Sequence, residues 1–452
     1  MTAPARIAAY RALRSITGRR ADLPSALALS REGLPDERDR ALAADIITGT
    51  LRWQRSVDYL IEHFAKRRAA KVDPDILDIL RLSLYQLLHL DRVPASAVVD
   101  DAVDLARYAR KPSATAFVNA VLRSMLRERH RLPLPPPPAA ATDRTGALAY
   151  LGITHSHPEW LVSRWLDRHG FDAAERWVRF NNDIPRLTLR ANTLRAQREH
   201  VAAALASEGI ETAPTPYAPD GLIVTSGNPL RTPSAGAFLV QDEASQLVSL
   251  AVAARPGDRV LDLCASPGGK TVAIAADIRD SGMVVASDVR TPRVRLLRQT
   301  IETSGAARVS IVHVGASAAL PFMSRFDRVL VDAPCSGLGT IRRDPDIRWR
   351  REESDLKVFA REQAALLHRA ADVVSRGGRL VYATCSSEPE ENEAVVDEFL
   401  STRDDFLLVD LRSDDSRLAP PLLDQRGMLR TLPFAHGLEA FFAAALVRRG
   451  TI

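Results

Sequence analysis

Cysteine is scarce in this chain: three in 452 residues, an odd number that cannot staple a disulfide scaffold. The expected setting is a reducing cytoplasm, where a thiol is either buried or reactive. Long apolar runs are missing as well. None approaches the roughly 20 residues that span a bilayer, so an embedded protein is not expected. Residues 1–20 carry scattered arginines and no continuous apolar core, which argues against a signal peptide. Charge of one sign is also lacking: 61 basic against 56 acidic residues leave a net charge of +5, which permits a nucleic-acid partner without requiring one. With 46% hydrophobic and 26% charged residues, a mainly disordered chain is excluded. At roughly 150 residues per domain, the length suggests two to four domains.

The clearest punctuation is Leu132-Pro-Leu-Pro-Pro-Pro-Pro138, followed by an Ala-rich stretch to Gly146. Such a run favours extended polyproline geometry and reads as a semi-rigid linker over 133–146. Before it, residues 1–132 read as helical. Asp73-Pro74 supplies a cap and a first-turn proline, and Ile76, Ile79, Leu80, Leu84, Leu87 and Leu88 recur at helical spacing. Ser113 is a candidate cap for a helix carrying Phe117, Val121 and Met125. Residues 147–236 mix both periods and suggest a small α/β module, with a helical segment over 158–169. From 237 to 452, short β-rich runs (259–263, 283–287, 308–312, 328–331, 379–383) alternate with helical stretches. That alternation predicts a doubly wound, mostly parallel sheet.

Three segments carry chemistry. Val260 to Thr271 is a strand running into a Gly-rich turn that opens a helix. A phosphate-cradling loop would need glycine at the position of Cys264, so the turn is poorly suited to a triphosphate and fits a nucleoside-bearing cofactor instead. Asp288 follows the next strand, where an acid accepts hydrogen bonds from ribose hydroxyls. Val331-Asp-Ala-Pro-Cys-Ser-Gly and Tyr382-Ala-Thr-Cys-Ser-Ser each end a strand. All three cysteines therefore fall on the strand edge where open α/β sheets bind ligands. Cys335 and Cys385 read as reactive, and Cys264 as packing beside the cofactor loop. Two thiols and a carboxylate suit methylation at carbon 5 of a pyrimidine. That carbon is a poor nucleophile until a thiolate adds to carbon 6, and an acid such as Asp332 can hold a proton near the ring nitrogen.

Asp262-Leu-Cys-Ala-Ser-Pro-Gly-Gly-Lys270, Asp332-Ala-Pro-Cys335 and Thr384-Cys385 together resemble the RNA 5-methylcytosine methyltransferases. More narrowly, the chain is similar over nearly its whole length to the bacterial RsmB (Sun) family of small-subunit ribosomal RNA methyltransferases. The resemblance implies a NusB-like, all-α RNA-binding domain over 1–132, a small RRM-like α/β RNA-binding module over 147–236, and a Rossmann-like methyltransferase domain over 237–452. It implies S-adenosyl-L-methionine as cofactor, held by Cys264, Ala265, Ser266, Pro267, Gly268, Gly269 and Lys270 with Asp288 and Asp332. Cys385 would be the nucleophile, and Cys335 would assist adduct breakdown and product release. Asp332 would lie between methyl donor and base. The substrate would be 16S ribosomal RNA, alone or in a partly assembled small subunit, presenting a flipped or single-stranded cytosine to a cytoplasmic monomer that uses no metal. Two positions depart from the family. Ala316 and Ser317 stand where an acid usually reads the adenine amino group, and Leu438-Glu-Ala-Phe-Phe442 replaces Asp-Gly-Phe-Phe.

Other clusters have plainer readings. His155 and His157 lack companions at metal-ligand spacing. Glu388, Glu390 and Glu391 read as a charged helix start complementing the dipole. Arg342, Arg343, Arg348, Arg350 and Arg351 with Trp349 follow Cys335 closely, and an RNA-phosphate contact with base stacking is expected of them. Two other functions fit parts of the pattern: an RNA-binding assembly or antitermination factor with a vestigial catalytic half, and a DNA cytosine methyltransferase whose nucleophile would be Cys335, leaving Cys385 idle.

Overall fold

A computed structural model describes residues 3–450 apart from 141, 280, 316–318, 324, 415 and 416. The chain forms two compact units. One holds residues 1–183 together with 341–351, and the other holds 184–340 and 352–452.

The first unit is helical. Its N-terminal part packs seven helices, Pro4–Thr17, Leu23–Glu32, Glu37–Arg52, Gln54–Ala65, Pro74–His89, Ala95–Tyr108 and Thr115–Glu128. Their apolar stripes meet in one core containing Leu13, Ile46, Leu60, Ile79, Leu80, Leu105, Leu122 and Met125. Asp73 caps its helix as expected, accepting from the Asp75 and Ile76 amides. Ser113 does not cap: it lies inside a 3₁₀ turn, Pro112–Ala114, and the following helix begins with no side-chain cap. The Pro-rich run carries no regular structure, but Leu132 and Leu134 pack on the helical core, and the Thr154 hydroxyl donates to the Pro135 carbonyl at 2.7 Å. The expected segment 158–169 grows into Glu159–Asn182, broken at Gly170 (φ 77°). The break lets Trp165 stack on Trp177 with centroids 4.5 Å apart.

The second unit carries two sheets. In the smaller, β1 (Thr188–Ala191), β2 (Glu211–Pro214), β3 (Gly221–Ser226) and β4 (Phe238–Val240) are antiparallel in the order β2-β3-β1-β4. Helix Arg198–Ser207 covers a core of Leu189, Val201, Leu205, Leu222 and Phe238. These elements form a small α/β module over 188–240, with a ferredoxin-like sheet, while residues 147–183 of the expected span lie in the first unit.

The larger sheet consists of β5 (Arg259–Leu263), β6 (Met283–Asp288), β7 (Val309–His313), β8 (Phe326–Asp332), β9 (Val374–Thr384), β10 (Phe406–Leu408), β11 (Leu429–Arg430) and β12 (Phe442–Arg448). All five strands anticipated from the alternation are present. Five run parallel in the order β7-β6-β5-β8-β9, and β12 then pairs antiparallel to β9. The chain winds one way from β5 through β6 to β7 and the other way from β8 to β9. The carboxyl ends of β5 and β8 therefore flank the topological switch point, where an α/β sheet opens a crevice.

Candidate active site

Each cysteine sits on that carboxyl edge for the same reason: a buried β-rich run ends and a turn begins. Cys264 follows β5, Cys335 lies three residues beyond β8, and Cys385 directly follows β9. Because β8 and β9 are parallel neighbours with Asp332 opposite Ala383, the two loops leave the sheet side by side. The Cys335 and Cys385 sulfurs are 2.9 Å apart and hydrogen-bonded, on residues that are each partly buried. The Cys385 backbone amide also donates to the Cys335 sulfur at 3.3 Å. The hydrogen bond to Cys385, together with burial and the nearby Glu391 charge, pushes the Cys335 thiol well above its ordinary range. Gly339 completes the corner: its amide donates to the Cys385 carbonyl, and its carbonyl accepts from the Ala440 amide. A Cβ there would lie 1.9 Å from the Ala440 oxygen, so only glycine fits. The stretch 438–442 thus supports the Cys385 turn through its backbone.

Lys270 enters the same site. Its ammonium donates to Asp332 Oδ2 at 2.8 Å, both groups being largely shielded, and lies 5.9 Å from the centre of the Phe441 ring. Burial lowers the lysine's proton affinity, but the carboxylate contact outweighs it and the net shift is upward. Asp262 accepts from the Thr271 hydroxyl at 2.6 Å, and burial pushes it up to about 7.

The turn after β5 presents backbone. Cys264 (φ 69°) and Gly268 (φ 106°) are left-handed, and helix Gly269–Asp277 starts with no side-chain cap on its first amides. A Cβ at Gly268 would press on Leu297 at 3.0 Å and Thr300 at 3.2 Å. The Cys264 thiol is pushed up to about 12 by burial, which suits a packing role and not a nucleophile. Asp288 ends β6, 3% exposed. One carboxylate oxygen accepts from the Arg290 amide at 3.1 Å, and the other has no hydrogen-bond partner among the described residues. A buried, unpaired carboxylate oxygen beside a glycine turn fits a ribose diol, whose hydroxyls would satisfy it. Ala316 and Ser317 lie outside the described residues. Among the described residues no cluster of His, Cys, Asp or Glu could hold a metal ion.

Two sequence readings need correcting. Glu388 and Glu391 lie ahead of the helix Glu393–Thr402 but do more than complement its dipole: both are fully buried, and Glu391 closes the turn Pro389–Glu391 with its carboxylate directed inward. It accepts from the Ser336 amide (2.8 Å) and hydroxyl (2.5 Å), from the Ser386 hydroxyl (2.5 Å) and from the Gln363 amide (2.9 Å). Only its position six residues after Cys385 hinted at this, because two of its three partner residues, Ser336 and Gln363, come from distant segments. Arg348 and Trp349 are likewise not an RNA surface. Arg348 is fully buried in the first unit, donating to the carbonyls of Arg52, Ser156 and Asn181 and to Asn182 Oδ1. The Trp349 indole donates to the Leu51 carbonyl at 2.6 Å and packs on the helical core. Arg350 pairs with Asp346 at 3.0 Å, and Arg342 stacks over Phe180 at 4.0 Å. Buried backbone carbonyls take up the Arg348 and Trp349 donors in place of solvent. His155 and His157 are core histidines: His157 spans the His155 carbonyl and the Asn181 amide, at 2.7 and 3.2 Å.

Comparison with known proteins agrees with this architecture. Residues 3–127 match the NusB family, 157–231 the ferredoxin-like domain of RsmF/B-like methyltransferases, and 249–447 the family described as 16S rRNA methyltransferase RsmB/F. A probable ribosomal RNA small subunit methyltransferase B of Bacillus subtilis is 34% identical over 92% of each chain. The ribosomal RNA small subunit methyltransferase B of Pseudomonas putida is 32% identical over 98% of each. The crystal structure of PH0851 superposes with a TM-score of 0.80 at 26% identity, covering 99% of both chains. With a NusB-like region, a ferredoxin-like module and a two-thiol sheet edge in one chain, and relatives matching nearly end to end, the chain belongs to the RsmB/F family of 16S rRNA methyltransferases.

Proposed function

We propose that this chain methylates carbon 5 of a cytosine in small-subunit ribosomal RNA, using S-adenosyl-L-methionine and a transient bond between Cys385 and carbon 6. The observation that carries the reading is the pair of cysteine sulfurs 2.9 Å apart beside the Lys270–Asp332 ion pair. The turn Cys264–Lys270 would hold the cofactor with Asp288 on its ribose, and the bound cofactor supplies an electrophilic methyl group. The protein is read as a cytoplasmic monomer, with RNA engaged by the helical region 1–132 and the α/β module 147–236 and catalysis in 237–452.

The chain's own groups do the rest. The Cys385 thiolate adds its electron pair to carbon 6, forming the S–C6 bond. The displaced C5=C6 pair moves into the ring, and Asp332, sharing a proton with Lys270, holds that proton at the ring nitrogen. Carbon 5 thereby becomes nucleophilic. Cys335, having released its own proton to solvent, takes the proton from the methylated carbon 5. The C–H pair restores C5=C6, the S–C6 pair leaves with Cys385, and the ring-nitrogen proton returns to Asp332 and Lys270. One proton is released per turnover, and the sulfur pair is reset. A raised Cys335 thiol makes its thiolate a correspondingly stronger base.

The test is denaturing electrophoresis of protein mixed with 16S RNA and labelled cofactor. Cys385→Ala should form no protein–RNA adduct and transfer no label, whereas Cys335→Ala should accumulate a stalled adduct. Loss of the adduct in Cys335→Ala instead would assign the nucleophile to Cys335, as in a DNA-type enzyme. No label in any RNA with the unaltered protein would favour a pure binding role.

A further inference from the structure

Glu391 is a buried carboxylate that the mechanism above does not use. A buried charge is costly unless its oxygens are filled, and an apolar replacement of equal volume is often as stable. Here both oxygens are filled by groups adjoining the reactive thiols. Ser336, next to Cys335, gives Glu391 both its amide and its hydroxyl, and Ser386, next to Cys385, gives its hydroxyl. Gln363 donates at once to Glu391 and to the Pro334 carbonyl, on the other side of Cys335, both at 2.9 Å. The Tyr382 hydroxyl anchors the Glu391 carbonyl at 2.6 Å.

The two loops do not depend on this carboxylate equally. The Cys385 turn has other supports: Thr384 donates to Asn392 Oδ1 at 2.5 Å, Asn392 donates to the Ser386 carbonyl at 3.0 Å, and Gly339 donates to the Cys385 carbonyl. The segment from Pro334 to Ser336 is hydrogen-bonded to Glu391, which accepts from both the Ser336 amide and hydroxyl, and to Gln363, which is anchored by Glu391 and by the Tyr382 hydroxyl (3.1 Å), with the Ser336–Ser386 hydroxyl contact (3.2 Å) beside them.

We propose that Glu391 is a positioning residue that holds the Cys335 loop so that its sulfur stays against Cys385, and that its negative charge governs when Cys335 gives up its proton. The inference rests on the two-thiol reading. It predicts that losing Glu391 impairs release of the RNA adduct more than its formation. Glu391→Gln and Glu391→Ala separate the two effects. The glutamine can keep the geometry, since the Ser336 and Ser386 hydroxyls can turn to accept from its amide, but it removes the charge.

For Glu391→Ala, kcat should fall about 100-fold, within the range of a lost general base, with the KM for RNA changed less than threefold and adduct accumulating at every pH. For Glu391→Gln, the alkaline midpoint of adduct breakdown should move to lower pH, because removing a nearby negative charge eases ionisation of Cys335. A merely structural role would lower kcat without trapped adduct and leave the midpoint in place; that result, or wild-type behaviour of both variants, overturns the proposal. A second measurement needs no RNA: cross-linking of Cys335 to Cys385 by dibromobimane should be efficient in the wild type and in Glu391→Gln and reduced at least fivefold in Glu391→Ala. Equal cross-linking in all three also overturns it. Absence of adduct in Cys335→Ala would refute the two-thiol mechanism alone, while the cross-linking would still judge whether Glu391 holds the loops.

Discussion

Arg348 offers the sharpest test of how the first unit is held. Its guanidinium is fully buried, touches no carboxylate among the described residues, and serves four oxygens from three separate stretches of chain: Arg52 O (3.1 Å), Ser156 O (2.7 Å), Asn182 Oδ1 (3.1 Å) and Asn181 O (3.3 Å). Burial and the nearby Arg52 push its proton affinity well below the ordinary arginine value, so the charge is retained at a cost. Truncation in Arg348→Ala would leave these acceptors dry, at about 1–3 kcal/mol for each that water cannot reach. Part of that is offset because the desolvated guanidinium is gone. The expected net loss is about 3–5 kcal/mol, as for other broken buried charge networks. Arg348→Lys should lose about 2 kcal/mol, because one ammonium cannot span the fork that a planar guanidinium covers. All five tryptophans of the chain, Trp53, Trp160, Trp165, Trp177 and Trp349, belong to the first unit. Urea unfolding followed by tryptophan fluorescence therefore reports this unit selectively. A midpoint for Arg348→Ala equivalent to less than 1 kcal/mol of loss would refute the reasoning and return Arg348 to the status of a surface cation.

Asp288→Ala should weaken binding of S-adenosylhomocysteine at least tenfold by titration calorimetry, since a charged acceptor contributes about 1.5–3 kcal/mol; unchanged affinity would remove Asp288 from the cofactor site. The first unit should also lose stability in acid. Burial pushes His155 down to about 4 and His157 well below 6.5, so between pH 6.5 and 4 the unfolded chain binds protons that the folded chain refuses, and stability falls as pH drops through that window. The tryptophan-detected urea midpoint should accordingly be lower at pH 5 than at pH 7, and His155→Phe should flatten the slope; an equal slope in wild type and variant would show that His155 takes up its proton in the folded state as readily as in the unfolded one.

Much of this architecture was written in local pattern. Runs such as Arg259–Leu263 and Met283–Asp288 declare themselves because a strand buried on both faces needs consecutive apolar residues, and the cap at Asp73 needs only its own next turn. The three cysteines were legible as edge residues for the same reason, each following such a run. What chain order alone could not reveal is which ends meet. That Cys335 and Cys385 lie 2.9 Å apart follows from β8 pairing with β9 across fifty residues. By charge alone, the acidic run after Cys385 predicts a helix start that complements the dipole, and the arginines after Cys335 predict an RNA-phosphate contact. Tertiary structure decided otherwise, because Glu391 and Arg348 each form buried hydrogen bonds with groups supplied by distant segments. Periodicity reports which face of an element is apolar; where a buried charge finds its partners depends on long-range packing, which leaves no local trace.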